Sequence, residues 1–137
     1  MSAVVLATVV VRNARTGALL GSEVRVAARR WDRLRGLLGH AEPPPGEGLL
    51  IEPCNGIHTV GMRYPIDALF LDREGRVLRC APRLAALRCI PWVRGARRVL
   101  ELPAGTIAGT RTVTGDLVTI TAGAGRVQRD ERKEQAR

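Results

Sequence analysis

The sequence predicts a mainly β fold, a single compact antiparallel β-sandwich or barrel-like domain with one short helix. Short apolar segments rich in Val, Leu and Ile recur roughly every ten residues, a spacing typical of such folds. Fifteen glycines and eight prolines are distributed along the 137 residues as turn formers. Helical periodicity is confined to one segment, so the series of crossover helices that a parallel sheet requires is lacking. We therefore expect about seven to nine strands.

Two antiparallel strands are predicted at the start of the chain. Val4–Arg12 is apolar and rich in β-branched residues, and Asn13–Gly17 has the polar, glycine-ended composition of a hairpin turn. The second strand is Ala18–Ala27, where charged and apolar residues alternate towards its end. This alternation indicates one exposed and one buried face.

One amphipathic helix is predicted over residues 29–39. Gly39 can cap this helix and Pro43–Pro45 cannot continue it, so the helix is short. The prolines lead into a predicted buried strand at Gly48–Ile51. The apolar residues of the helix recur at helical spacing and lie on one side: Trp31, Leu34, Leu37 and Leu38.

A second hairpin is predicted in the middle of the chain. Asp72–Gly75 is a strong turn signal, and the flanking apolar segments Ile66–Leu71 and Arg76–Ala81 are expected to pair. A turn is predicted at Pro103–Thr106, because proline and glycine interrupt the apolar pattern there. Two further strands lie on either side of this turn: Ala96–Leu102 and Leu117–Ala122.

The chain is expected to be one cytoplasmic domain. Residues 1–127 are predicted to form the β-rich body, and residues 128–137 a charged tail that frays. The apolar N-terminal run is too short for a membrane span and follows no basic region. The three cysteines cannot all pair within one chain and form no Cys-x-x-Cys pair, so a disulfide scaffold is not expected.

The net charge of +9 points to an anionic partner as one hypothesis. Only Lys133 among the 22 basic residues is lysine, a bias that GC-rich coding can produce. The arginines are scattered, with short clusters at residues 29–35 and 94–98, whereas phosphate binding usually shows a continuous basic stripe with aromatic residues. We expect a solvated surface, and weak nucleic-acid binding through Arg97 and Arg98 stays open as an alternative.

Cys54, His58 and Met62 are spaced by four residues. In an extended strand all three side chains would project from one face, as a soft ligand set that suits Cu(I). Gly56 and Gly61 invite bulges that would break this alignment. A packed methionine, a buried thiol and a hydrogen-bonded histidine explain the same residues, so no metal or cofactor is expected.

A thiol-dependent enzyme or small hydrolase is a second alternative. Cys54 would be the nucleophile, His58 its base and Asp67 the group that orients the imidazole. This requires Asn55 and Gly56 to turn the chain back, because an extended strand would separate Cys54 and His58 by about 13 Å. Walker, Gly-x-Ser-x-Gly and His-Glu-x-x-His motifs do not occur, so the catalytic residues stay unknown.

Asp67 is expected at the margin of the apolar core. A carboxylate there needs donors, and Arg33 or Arg63 could supply a bidentate guanidinium. Such a pair would be structural or would bind a substrate.

Three blocks, Arg33–Gly39, Gly48–Ile51 and Ile57–Asp72, resemble in order and spacing the prokaryotic domain of unknown function 192 family. The resemblance covers about residues 22–120. It implies a compact, mainly antiparallel β domain with a small helix, and it implies no established activity, substrate or cofactor. The positions that match the family's motif are Arg33, Gly36, Leu37, His58, Thr59, Met62, Asp67, Phe70 and Asp72.

We therefore predict a non-enzymatic binding or accessory protein. A groove near Arg33, His58, Met62 and Asp67 would engage a small molecule or a protein segment whose identity the sequence does not give.

Overall fold

A computed structural model describes residues 3–6, 8–27, 42–124 and 126–129. Within these ranges the chain forms eleven strands and one short helix. The strands and the helix are β1 Ala3–Leu6, β2 Thr8–Asn13, β3 Leu19–Ala27, β4 Glu47–Ile51, β5 Ile57–His58, β6 Ile66–Leu71, β7 Val77–Leu84, β8 Cys89–Ile90, β9 Arg98–Pro103, α1 Thr106–Thr110, β10 Val118–Ala122 and β11 Arg126–Arg129.

Seven strands form one curled sheet in the order β10-β2-β3-β4-β9-β6-β7. Its two edge strands approach each other at one end, where Arg76 and Leu117 form an isolated antiparallel bridge. The Val77 amide donates to the Asp116 carbonyl at 2.8 Å, and the Val118 amide donates to the Gly75 carbonyl at 2.8 Å. The sheet is therefore a half-barrel, and the predicted mainly β, barrel-like class is confirmed.

Both predicted hairpins are present. β2 pairs with β3, and β6 pairs with β7. In the β6–β7 turn, Oδ1 of Asp72 accepts hydrogen bonds from the amides of Glu74 and Arg76, each at 2.9 Å. Gly75 adopts a φ of 95°, which glycine tolerates best. The local residue chemistry that predicted this turn also holds it.

Pairing differs from the prediction at two places. The segment predicted as one first strand is divided into β1, which pairs with β11, and β2. In addition, β3 and β4 are parallel, so the sheet is not wholly antiparallel. The connection between β3 and β4 is long enough for a crossover, and such a pairing leaves no local signal in the sequence. Gln128 and Arg129, the start of the predicted tail, lie in β11.

The helix predicted over residues 29–39 lies outside the described residues, as does the predicted site residue Arg33. The described helix α1 lies where a turn was predicted. Gly105 precedes it with a φ of 97°, and the amide of Ile107 donates to Oδ2 of Asp67 at 2.7 Å. Since this acceptor comes from a distant strand, the residues around Thr106 alone did not predict the helix.

The sheet separates two apolar cores, and β6 contributes to both because alternate side chains face opposite sides. All six residues of β6 are buried. The small two-stranded sheet of β5 and β8 packs against one side of the large sheet, and its residues Ile57 and Ile90 are buried in the first core. The first core includes Leu49, Ile57, Met62, Ile66, Ala68, Phe70 and Ile90. The second core includes Val24, Leu50, Leu69, Leu71, Leu100, Leu102 and Ile107.

No helix within the described part of the chain has the length and apolar character that crossing a membrane would require.

Candidate functional site

The structure does not bring Cys54, His58 and Met62 to one face. Cys54 is half-buried and its thiol donates to the Gly56 carbonyl at 3.0 Å. His58 is exposed, whereas Met62 is packed in the first core with 8% of its surface exposed. Gly61 has a φ of 87° within a turn, and this turn removes the alternation that an extended strand would give.

His58 lies directly opposite Cys89 in the ladder between β5 and β8. Both residues are exposed. Directly opposed residues of an antiparallel pair have their side chains on the same face. The cross-strand neighbour of the imidazole is therefore Cys89, rather than Cys54. None of the three cysteines, all of which the structure describes, forms a disulfide bond. Burial raises the pKa of the Cys80 thiol.

Asp67 is a structural acceptor in the second core. It is fully buried, and its two carboxylate oxygens accept the amides of Arg83 at 2.8 Å and Ile107 at 2.7 Å. Backbone amides therefore donate to both carboxylate oxygens, where a guanidinium was expected, and Arg33 lies outside the described residues. Since Asp67 and Met62 lie on opposite faces of the sheet, the structure does not join them in one groove.

Asp116 is the centre of a second buried polar cluster. Its Oδ1 accepts Nε of Arg15 at 2.6 Å, while its Oδ2 accepts Nδ2 of Asn13 at 2.8 Å and the Val113 amide at 2.9 Å. The hydrogen bond from Arg15 is the main reason why the pKa of Asp116 lies below its usual range, followed by those from Val113 and Asn13, with burial opposing them. Asn13 also donates to the Thr112 hydroxyl at 3.1 Å. The cluster fastens the first hairpin to the segment before β10.

A cleft of about 500 Å³ lies on another part of the surface. Its lining combines three arginines with one carboxylate and one proline: Arg73, Arg97, Arg98, Glu52 and Pro53. Arg73 and Arg97 are exposed, so their guanidinium groups are accessible to a ligand. We call this feature the arginine cleft.

Arg98 is held in place within the arginine cleft. Its Nη2 donates to the Arg73 carbonyl at 3.0 Å, and its Nε lies 3.8 Å from Oε2 of Glu52. The side chain of Arg98 is only 19% exposed. These contacts fix the guanidinium before any ligand binds, which reduces the conformational entropy that binding would cost.

Backbone hydrogen bonds join the walls of the arginine cleft. The Arg97 amide donates to the Leu71 carbonyl at 2.8 Å, and the Arg97 carbonyl accepts the Cys54 amide at 2.9 Å. Residues from three separate parts of the chain are thereby brought to one rim.

The arginine cleft is suited to oxyanions. Guanidinium groups are planar, permanently charged and able to donate two parallel hydrogen bonds to a carboxylate or a phosphate. Three such groups exceed the single carboxylate of Glu52, so the lining has an excess of positive charge.

The sequence pointed to Arg97 and Arg98 as a possible nucleic-acid contact, but the arrangement of the cleft could not be read from short clusters of arginines. Arg73 and Glu52 are far from Arg97 along the chain, and the sheet brings them together. One usable signal was present: residues 75–100 contain seven arginines and neither an acidic residue nor a lysine. This absence of acidic residues would have indicated a basic surface.

Comparisons with known proteins agree on the fold. A family model described as DUF192, Uncharacterized ACR, matches residues 11–120. The structure is similar to that of a protein of unknown function from Novosphingobium aromaticivorans, with a TM-score of 0.71, 20% sequence identity, and coverage of 84% of each chain. It is also similar to a proposed transcription regulator from Sinorhizobium meliloti, with a TM-score of 0.71, 22% identity, and coverage of 88% of this chain and 96% of that one. No curated protein sequence matches the chain.

Proposed function

The chain belongs to the DUF192 family, and from that premise we propose that it is a non-enzymatic binding domain that holds oxyanions in the arginine cleft. The observation that carries this proposal is the convergence of Arg73, Arg97 and Arg98 on one cleft, with Arg98 fixed by its own hydrogen bonds. We place this binding in the cytoplasm, where phosphorylated molecules are abundant.

This proposal keeps the expected binding or accessory role and moves the site. The groove expected near His58, Met62 and Asp67 required the Asp67 carboxylate, and two backbone amides already occupy its oxygens. The guanidinium of Arg97 is in the opposite situation, because it is exposed at the rim of a cleft. A ligand that contacts Arg97 replaces water rather than a protein partner.

The expected affinity is modest. A hydrogen bond to a charged group contributes roughly 1.5–3 kcal/mol, and solvent exposure favours the lower end of that range. Two or three such contacts at an open cleft correspond to a dissociation constant on the order of 0.1–1 mM for a small dianion. A larger ligand with several anionic groups would bind more tightly.

Isothermal titration calorimetry with inorganic pyrophosphate tests the proposal. Arg97→Ala should weaken pyrophosphate binding about tenfold, the loss that corresponds to one charged hydrogen bond. Arg12→Ala is the matched control, because it removes the same charge from β2, which β3 and β4 separate from β9. Arg12→Ala should leave the affinity nearly unchanged.

Equal affinity for the wild type and Arg97→Ala would contradict the proposal, as would the absence of binding at roughly 10 mM pyrophosphate, well above the expected dissociation constant. Titration with citrate distinguishes the two oxyanion classes. Binding of pyrophosphate and not of citrate would assign the cleft to phosphates, and the reverse would assign it to carboxylates.

A further inference from the structure

Trp92 is an exposed aromatic residue in a chain that has only two tryptophans, one tyrosine and one phenylalanine. Its exposed fraction is 62%. Large aromatic side chains are highly buried on average, because their burial contributes much of the free energy of folding. Trp92 therefore leaves a large apolar surface in contact with water.

The backbone on both sides of Trp92 is fixed. The Val93 amide donates to the Asn55 carbonyl at 2.8 Å. Gly56 packs closely against Pro91, the residue that precedes Trp92. A Cβ added at Gly56 would lie 2.3 Å from the Pro91 carbonyl oxygen. The backbone on either side of Trp92 is thus held against residues 55–56.

Trp92 and the arginine cleft belong to the same surface. Residues 91–98 run beside residues 53–56: Val93 is bonded to Asn55, and the Arg97 carbonyl accepts the Cys54 amide. The Ala96 amide donates to the Val93 carbonyl at 3.0 Å, which closes a turn at Arg94. Trp92 and Arg97 are five residues apart, so they lie no more than about 18 Å from each other, and the turn at Arg94 shortens that distance.

The charged side chains of the two chain segments that flank Trp92 and lie beside it are all positive. Arg88 and Arg94 precede and follow it within four residues, and both are exposed. Acidic residues are absent from residues 75–100 and also from residues 53–66, which supply the neighbouring strand β5. A polyanion near Trp92 would therefore meet little repulsion from these two segments.

We infer that single-stranded nucleic acid binds this surface, with backbone phosphates in the arginine cleft and a base stacked on Trp92. The inference rests on the proposed oxyanion-binding function and names the class of its ligand. An exposed aromatic ring beside a basic groove is the arrangement by which proteins bind single strands without regard to sequence. A duplex is disfavoured as the partner because its base faces are already stacked and cannot reach the indole.

An anionic membrane is the competing partner, since Leu87 and Val60 are also exposed, at 77% and 53%. The arginines favour nucleic acid, because a guanidinium that is fixed like that of Arg98 suits the separate phosphates of a strand, whereas membrane insertion would need Leu87 and Val60 beside Trp92. The carbonyl of Thr59 accepts the Leu87 amide at 3.3 Å, so Leu87 and Val60 lie at the far end of the small sheet from Trp92.

Fluorescence anisotropy with labelled single-stranded oligonucleotides of one length tests the inference. Three probes are compared: oligothymidylate, oligouridylate, and an abasic oligodeoxynucleotide that keeps the phosphates and lacks the bases. Trp92→Ala should weaken binding of the two base-containing probes about tenfold, as expected for one stacked base, and should leave abasic binding unchanged. Leu87→Ala removes an apolar side chain that is even more exposed than Trp92, and it should leave binding of all three probes unchanged. The affinity should fall steeply with salt.

Arg97→Ala should weaken binding of all three probes, including the abasic one. Two results would overturn the inference: a Trp92→Ala protein that binds the base-containing probes as well as the wild type, or vesicles of anionic phospholipid that bind in a Leu87-dependent manner while oligonucleotides do not. If pyrophosphate still binds in an Arg97-dependent manner, the failure concerns the nucleic acid alone. If pyrophosphate binding is also absent, the proposed function fails with it.

Discussion

The buried carboxylates and the arginine cleft are two charged regions of this protein with opposite hydrogen-bonding states. Asp67 and Asp116 are almost inaccessible to solvent, and the protein itself supplies donors to both oxygens of each carboxylate. In the arginine cleft, Arg73 and Arg97 are exposed. The lining contains three arginines and one carboxylate, that of Glu52, so its net charge is positive.

The difference separates residues that hold the fold from residues that are available for binding. Buried charges must be paired or hydrogen-bonded, and losing a partner costs stability. Exposed charges contribute little to stability, so their concentration in one place calls for another explanation. We therefore expect substitutions in the first region to change unfolding and substitutions in the second region to change binding.

Asp67→Ala gives the largest expected loss of stability. The substitution leaves the part-buried amide of Arg83 and the buried amide of Ile107 without their acceptor, which should lower the free energy of unfolding by about 3 kcal/mol. Urea unfolding measures this change. Asp72→Ala is the matched control, because Asp72 also accepts two amides but in an exposed turn, where water replaces it at a cost of about 1 kcal/mol. Comparable losses in the two variants would contradict the distinction.

Gly56→Ala tests the support of the basic surface. An added Cβ would lie 2.3 Å from the Pro91 carbonyl oxygen, and separating the two segments should cost about 2 kcal/mol. Because Pro91 precedes Trp92, oligonucleotide binding should weaken as well. Gly109→Ala in α1 is the control: no atom lies within 4 Å of its added Cβ, so it should stabilise the protein by about 0.5 kcal/mol. A Gly56→Ala protein that unfolds and binds like the wild type would show that this close approach is dispensable.

Stability should fall at low pH through Asp116. Its pKa is depressed in the folded state by Arg15, Val113 and Asn13, so the folded protein binds this proton less readily than the unfolded chain does. The stabilisation is complete above the unfolded pKa, about 3.9, and is lost as the pH falls through the lower folded value. Asp116→Asn should flatten the dependence of unfolding free energy on pH below about pH 4. An unchanged acid slope in urea unfolding would show that other carboxylates dominate it.

Arg97→Ala should have the smallest effect on stability. Its guanidinium is exposed, and surface substitutions of this kind usually change the unfolding free energy by less than about 0.5 kcal/mol. Thermal unfolding of this variant should coincide with that of the wild type. A marked destabilisation would place Arg97 with the structural residues and remove it from the binding argument.

Local chemistry made part of the fold predictable. The β6–β7 hairpin follows from Asp72 and Gly75, whose side chain and backbone freedom act within the turn itself. The parallel β3–β4 pair and helix α1 depend on contacts between distant segments. Asp67 accepts a hydrogen bond from the Ile107 amide, which lies 40 residues away in the sequence. The residues around α1 therefore do not by themselves predict this hydrogen bond or the helix.

The candidate site was less predictable than the fold. The alignment of Cys54, His58 and Met62 assumed an extended strand, and the turn at Gly61 removes that assumption. The importance of Asp67 was recognised, but its partners are backbone amides, which no motif encodes. The sheet assembles the arginine cleft from separated residues, so the sequence pointed only to Arg97 and Arg98 and to the absence of acidic residues over 75–100.

Amide chemical-shift mapping by NMR during titration with pyrophosphate tests the central claim most directly. We predict saturable shifts concentrated at the amides of residues 52, 73 and 97–98, with the amides hydrogen-bonded to Asp67 and Asp116 unaffected. Shifts centred on those carboxylate clusters, or spread weakly over arginines throughout the surface without saturation, would contradict the account.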